Sequence, residues 1–114
     1  NDVIGYRMAS EQVLYFSDNC FGTADALGFR RNKLQIFDLK TGESKASVDQ
    51  LLVYAALFCL EYNFKPFDIE YDLRIYQLDE VQMFEVDPND IAQIMAKIVA
   101  FDKMIENLKQ AADV

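Results

Sequence analysis

An apolar run at residues 51–58, Leu-Leu-Val-Tyr-Ala-Ala-Leu-Phe, constrains this chain more than any other stretch. It follows Ser47-Val48-Asp49-Gln50, with Ser at an N-cap position and Gln three residues later, which is a capping box. Together they predict a helix from 48 to about 62. Placed on a helix, the run leaves almost no polar face, and a helix apolar nearly all round is buried on most sides. The rest of a 114-residue chain must supply that cover. Such a length supports one small domain with a real core but not two, so 1–114 is read as a single domain. The run is too short to span a bilayer, and no signal peptide is visible.

The cover is expected to be a sheet. Residues 11–17 are rich in β-formers, and Ser17-Asp18-Asn19 is a turn signal. Residues 21–27 read as a second strand, and a polar stretch at 28–33 separates it from a third that begins at Leu34. The chain thus opens as a three-stranded meander. Beyond the helix, 63–66 is a break. Residues 67–76 then alternate, with Phe67, Ile69, Tyr71, Leu73 and Ile75 on one face and Asp68, Glu70, Asp72, Arg74 and Tyr76 on the other. That predicts a half-buried strand with Glu70 and Asp72 as surface charges. Residues 77–80 form a turn, and 81–86 complete a second hairpin. Asp87-Pro88 marks a helix start, N-cap followed by Pro at the first position. Ile91, Ile94, Ile98, Phe101, Ile105 and Leu108 make one stripe on that helix, expected to pack on the sheet. The order β-β-β-α-β-β-α gives an α+β fold, a mixed β-sheet flanked by helices.

The third strand, Ile36-Phe37-Asp38-Leu39-Lys40 before Thr41-Gly42, carries an unusual pair. Strand side chains alternate with period two, so Asp38 and Lys40 point the same way. Strand interiors are depleted in Asp, and a buried charge needs a partner. If the hairpin turn centres near Arg31, Asp25 falls opposite Asp38. Like charges directly opposite are destabilising, and a cation between them removes the conflict. Hard cations such as Mg²⁺ prefer oxygen ligands. Asp25, Asp38 and Lys40 then form a metal site with a lysine beside it. The same residues also fit a plain ion-pair cluster at a strand end. Gln50 and Tyr54, four apart, share one helix face, which either looks at that site or contributes a cap and a core residue. Arg30, Arg31 and Lys33 in the turn are either solvated or phosphate contacts.

Gly22-Thr23-Ala24-Asp25, Asp38-Leu39-Lys40-Thr41-Gly42 and Gln50-Leu51-Leu52-Val53-Tyr54 together resemble the PD-(D/E)xK nuclease superfamily, in its RecB-like branch, which includes CRISPR-associated and phage exonucleases. The three blocks run in the family's order and span 22–54. A weaker likeness continues through Arg74-Ile75-Tyr76-Gln77 into the last helix, which favours the phage-type exonucleases. The resemblance implies a restriction-endonuclease-like core and hydrolysis of DNA phosphodiesters with Mg²⁺ or Mn²⁺. It implies Asp25, Asp38 and the backbone carbonyl of Leu39 as metal ligands, and Lys40 as the group that orients the attacking water or meets charge on the phosphate. Gln50, with Tyr54, would position substrate. Family members usually add a Glu or His from an upstream helix, for which no clear equivalent exists here. Glu11 is the weaker substitute, and the chain, starting at Asn1, is consistent with a piece trimmed at the N-terminus. A nuclease fold that binds DNA or a protein partner without cutting is the alternative.

Charge and cysteine usage bound these readings. The net charge of −8 argues against a protein that coats nucleic acid. Residues 1–45 hold six basic and six acidic residues, whereas 46–114 hold five and thirteen, so the acidity lies away from the site. A homo-oligomer or larger recombination complex would supply the DNA channel such a small acidic domain lacks. The absence of histidine excludes His-based catalysis within this chain. Two cysteines without a cluster point to a reducing cytoplasm, that of a bacterial cell or phage-infected host.

Overall fold

A computed structural model of the protein describes residues 9–39, 48–77 and 80–112. Five strands form one mixed sheet in the spatial order of the chain, accompanied by two helices. They are β1 (Ala9–Ser17), β2 (Cys20–Arg30), β3 (Lys33–Leu39), α1 (Val48–Tyr62), β4 (Glu70–Tyr76), β5 (Val81–Phe84) and α2 (Pro88–Ala112). The order β-β-β-α-β-β-α is the expected one. Pairing is antiparallel within β1–β2–β3, parallel between β3 and β4, and antiparallel between β4 and β5. Parallel neighbours need a long crossover, and α1 is that crossover.

The β2–β3 turn is tighter than the polar stretch suggests. Only Arg31 and Asn32 lie outside the strands, with φ of 53° and 62°, and Arg30 pairs with Lys33. Two positive φ values in a two-residue loop match the right-handed twist of the flanking strands. Gly28, expected in the turn, is a buried strand residue opposite Gln35.

Helix α1 is covered as its composition requires. Leu51, Ala55 and Ala56 are fully buried, and Leu57, Phe58 and Cys59 nearly so. They pack against Leu14, Ala24, Leu27, Leu34, Ile36, Leu73 and Ile75 from the sheet. Truncating a leucine such as Leu51 to Ala in a site of this kind costs about 2–5 kcal/mol. Asn63, with φ 61°, ends the helix in the left-handed conformation, and the N–H of Phe64 donates to the carbonyl of Cys59 at 3.0 Å. The expected N-cap, Ser47, lies outside the described residues.

Three further expectations need correction. Phe67 is not in a strand: Pro66–Asp68 form a 3₁₀ turn, since proline fixes its own φ and lacks a ladder N–H, and Phe67 is exposed. Helix α2 begins as expected, with Asp87 Oδ1 accepting from the N–H of Asn89 at 2.9 Å. It packs on α1 and the 3₁₀ turn rather than mainly on the sheet. Ile91 is fully buried there, while Phe101 and Leu108 of the same stripe stay exposed. Finally, Asp72 is no surface charge: it is 7% exposed.

Candidate functional site

The hairpin register decides which acidic residues meet. The β2–β3 ladder runs from Arg30–Lys33 to Ala26–Phe37, and one further step places Asp25 across from Asp38. On the other side of β2, the flanking pairs Ser10–Ala26 and Gln12–Ala24 place Glu11 across from Asp25. Glu11, Asp25 and Asp38 therefore occupy one transverse row over three adjacent strands.

The row lies where β3 ends. Asp38 is buried, at 6% exposure, whereas Asp25 is exposed. The N–H of Leu39 donates to Asp25 Oδ2 at 2.9 Å, which ties this carboxylate to the end of β3 beside Asp38. Leu39 itself is 63% exposed. The parallel neighbour β4 ends level with it, since Leu39 pairs with Tyr76. The carboxyl ends of parallel strands are where open sheets commonly take ligands. Lys40, two residues on from Asp38, and the side chain of Glu11 lie outside the described residues. Among the described residues no group of three or more Asp, Glu or Cys side chains could hold a metal. Mg²⁺ is commonly held by one or two carboxylates with waters completing its shell, so the oxygen donors of Asp25 and Asp38 fit it.

Gln50 and Tyr54 are also brought together. Gln50 Nε2 donates to the Tyr54 hydroxyl at 2.7 Å, and Tyr54 is only 8% exposed. Gln50 lies in the first turn of α1, the helix entered from the end of β3 through residues 40–47. Arg30 and Arg31 are not near the row. Arg30 pairs with Lys33, five residues before Asp38, which places them about 16 Å away along the strand.

A second polar group in the sheet escaped the sequence reading. On β4, Arg74 donates to Asp72 twice, Nε to Oδ1 at 2.8 Å and Nη2 to Oδ2 at 2.9 Å. Gln35 Nε2, from β3, donates to Asp72 Oδ2 at 3.0 Å. Arg74 Nη1 also donates to the Tyr76 hydroxyl at 3.3 Å, and its guanidinium carbon lies 5.0 Å from the Phe37 ring centroid. The Asp72 carboxylate beside it pushes the Arg74 guanidinium pKa further up. Alternation alone put Asp72 on a polar face; only the parallel register, Gln35 beside Asp72, explains its burial.

A third group joins the β1–β2 turn to α2. Ser17 Oγ and Asn19 Nδ2 donate to Asp102 Oδ1 at 2.6 and 2.9 Å, and Lys109 Nζ donates to Asn19 Oδ1 at 2.6 Å. The Ser17 hydroxyl first, then the Asn19 amide, hold the Asp102 carboxyl below the usual carboxylate range. Both cysteines, Cys20 and Cys59, are free, and burial pushes the Cys59 thiol pKa up. Among the described residues no helix is long and apolar enough to cross a membrane.

No protein-family model matches the chain, and no curated protein matches it. Among solved structures it is similar to one described as "Crystal structure of SSO0001", with 16% identity and a TM-score of 0.35. That likeness covers 88% of this chain and 53% of the other, so the chain spans about half its length. At that TM-score the likeness carries no argument about fold or function.

Proposed function

We propose that this protein is a metal-dependent DNA nuclease, of exonuclease type, acting in phage or bacterial DNA recombination or repair. The observation that supports it most is the transverse row of Glu11, Asp25 and Asp38 at the end of β3. The sequence resemblance to the PD-(D/E)xK superfamily assigns the same Asp25 and Asp38 to metal binding. Asp25, Asp38 and the Leu39 carbonyl would hold Mg²⁺ or Mn²⁺, with Glu11 as an additional ligand. When bound, the ion polarises a phosphoryl oxygen and makes a water more acidic.

The chain's own residues do the rest. The Leu39 N–H orients Asp25, so one carboxylate is fixed before any ligand arrives. By the same resemblance, Lys40 would meet negative charge that builds on the phosphate or orient the attacking water. Gln50, steadied by the Tyr54 hydroxyl, positions the substrate at the N-terminal end of α1. Arg30 and Arg31 are too far along β3 for the scissile phosphate and could meet only a more distant part of a DNA strand. The setting is a cytoplasm, in which both cysteines stay reduced.

The test is digestion of labelled linear and circular DNA with Mn²⁺, with Mg²⁺ and with EDTA. Cutting of linear DNA that needs the metal, spares circles and vanishes in Asp38→Ala is expected. Metal binding without cutting would instead mark a nuclease fold that binds DNA or a partner. Cutting that persists in EDTA, or in Asp38→Ala, would overturn the assignment.

A further inference from the structure

Glycine inside a strand ordinarily weakens it, because it packs no side chain and loses more backbone entropy than other residues. Gly22 in β2 is such a glycine, and its backbone is one that any L-residue adopts. What it supplies is space. A Cβ built on Gly22 would lie 2.8 Å from Tyr54 Cε1, 3.3 Å from Tyr54 Cδ1 and 3.6 Å from Leu57 Cδ1. The first distance is well inside the about 3.5–4.0 Å at which carbon atoms pack. Tyr54 cannot simply swing aside, since it shares one buried cluster with Leu51, Ala55, Leu57 and Phe58. Cε1 is the ring carbon next to the one that bears the hydroxyl, and that hydroxyl accepts the Gln50 amide at 2.7 Å.

We infer that Gly22 is a positioning residue: the room it leaves for the Tyr54 ring sets the phenol oxygen, and through it the Gln50 amide, relative to the strand that carries Asp25. Gly22 precedes Asp25 by three residues, about 10 Å of strand. One strand thus presents the carboxylate and fixes the amide on the helix packed over it. The catalytic part of this inference rests on the nuclease reading; the mechanical part does not.

Three measurements test it. Urea unfolding of Gly22→Ala, Tyr54→Val and the double variant reads the steric link. Gly22→Ala should lower the folding equilibrium constant tenfold or more when Tyr54 is present, and not at all in the Tyr54→Val background. Equal losses in both backgrounds would overturn the link. If Gly22→Ala alone does not fold, a folded double variant supports the link and an unfolded one contradicts it. Side-chain amide ¹⁵N relaxation reads the second step. Tyr54→Phe keeps the ring, and the Gln50 amide should lose order in it; an unchanged Gln50 signal would refute the relay. With labelled DNA and Mn²⁺, Tyr54→Phe should then cut at least tenfold more slowly per folded molecule, mainly through kcat. Full-rate cutting would end the catalytic part. If the unmutated protein does not cut, the nuclease reading fails, while unfolding and relaxation still decide the role of Gly22.

Discussion

Asp72 and Asp38 are both buried carboxylates on neighbouring central strands, yet the chain surrounds them differently. Asp72 lies in mid-strand and receives a bidentate guanidinium from Arg74, two residues along, plus the Gln35 amide. Its charge is met by a cation on its own strand. Asp38 lies at a strand end, in one row with two other acidic positions and next to Asp25, which takes a backbone N–H from Leu39. A buried carboxylate held by a bidentate guanidinium and an amide already has its charge met within the sheet. Asp38 instead stands at the carboxyl end of a parallel strand, the position that the proposed reading gives to a cation. Burial of a carboxylate is therefore no guide to function by itself; what the neighbouring strands bring to it is.

Substitutions that treat the two carboxylates alike should give opposite results. The largest effect is expected from Asp38→Ala. Metal-dependent cutting should fall by at least about a hundredfold, read as initial rate on labelled linear DNA at matched folded concentration. A change of less than a few-fold would place Asp38 with Asp72, as structure only. Next in size is Arg74→Met, which keeps the stem but leaves Asp72 charged and buried. Removing one partner of such a pair costs about 3 kcal/mol, measured as a lower midpoint in urea with unchanged slope. No loss of stability would mean that Asp72 is solvated after all.

The smallest effect concerns a half-buried carboxylate away from both, Asp102. Its pKa is lowered in the folded protein, chiefly by the Ser17 hydroxyl and then by the Asn19 amide. The contribution is therefore present above the ordinary carboxylate range and is lost as pH falls through that range to the lowered value. Amide exchange in the β1–β2 turn, corrected for intrinsic rates, should speed up on acidification, and Asp102→Asn should remove that pH dependence. The same acid response in Asp102→Asn would assign it to another group.

Local pattern carried the element order, because each element is announced by its own residues: the apolar run for α1, Asp87-Pro88 for α2, alternation for β4. It also placed the β2–β3 turn near Arg31, and a hairpin register depends only on where the turn is centred. Gln50 and Tyr54 were legible as an i, i+4 pair for the same reason. Asp72 was not, since its burial depends on Gln35, which is 37 residues away in sequence and joins it only through the parallel register. The exposure of Phe101 and Leu108 was likewise hidden, because periodicity shows that a helix has an apolar face but not how far its partner reaches along it.

The most direct measurement is Mn²⁺ binding, followed by electron paramagnetic resonance, to the unmutated protein, Asp38→Asn and Asp72→Asn. Binding by the unmutated protein and by Asp72→Asn, with loss in folded Asp38→Asn, is the predicted result. Equal binding by the unmutated protein and both variants, or no binding by the unmutated protein, would contradict the assignment of the β3 end as a metal site.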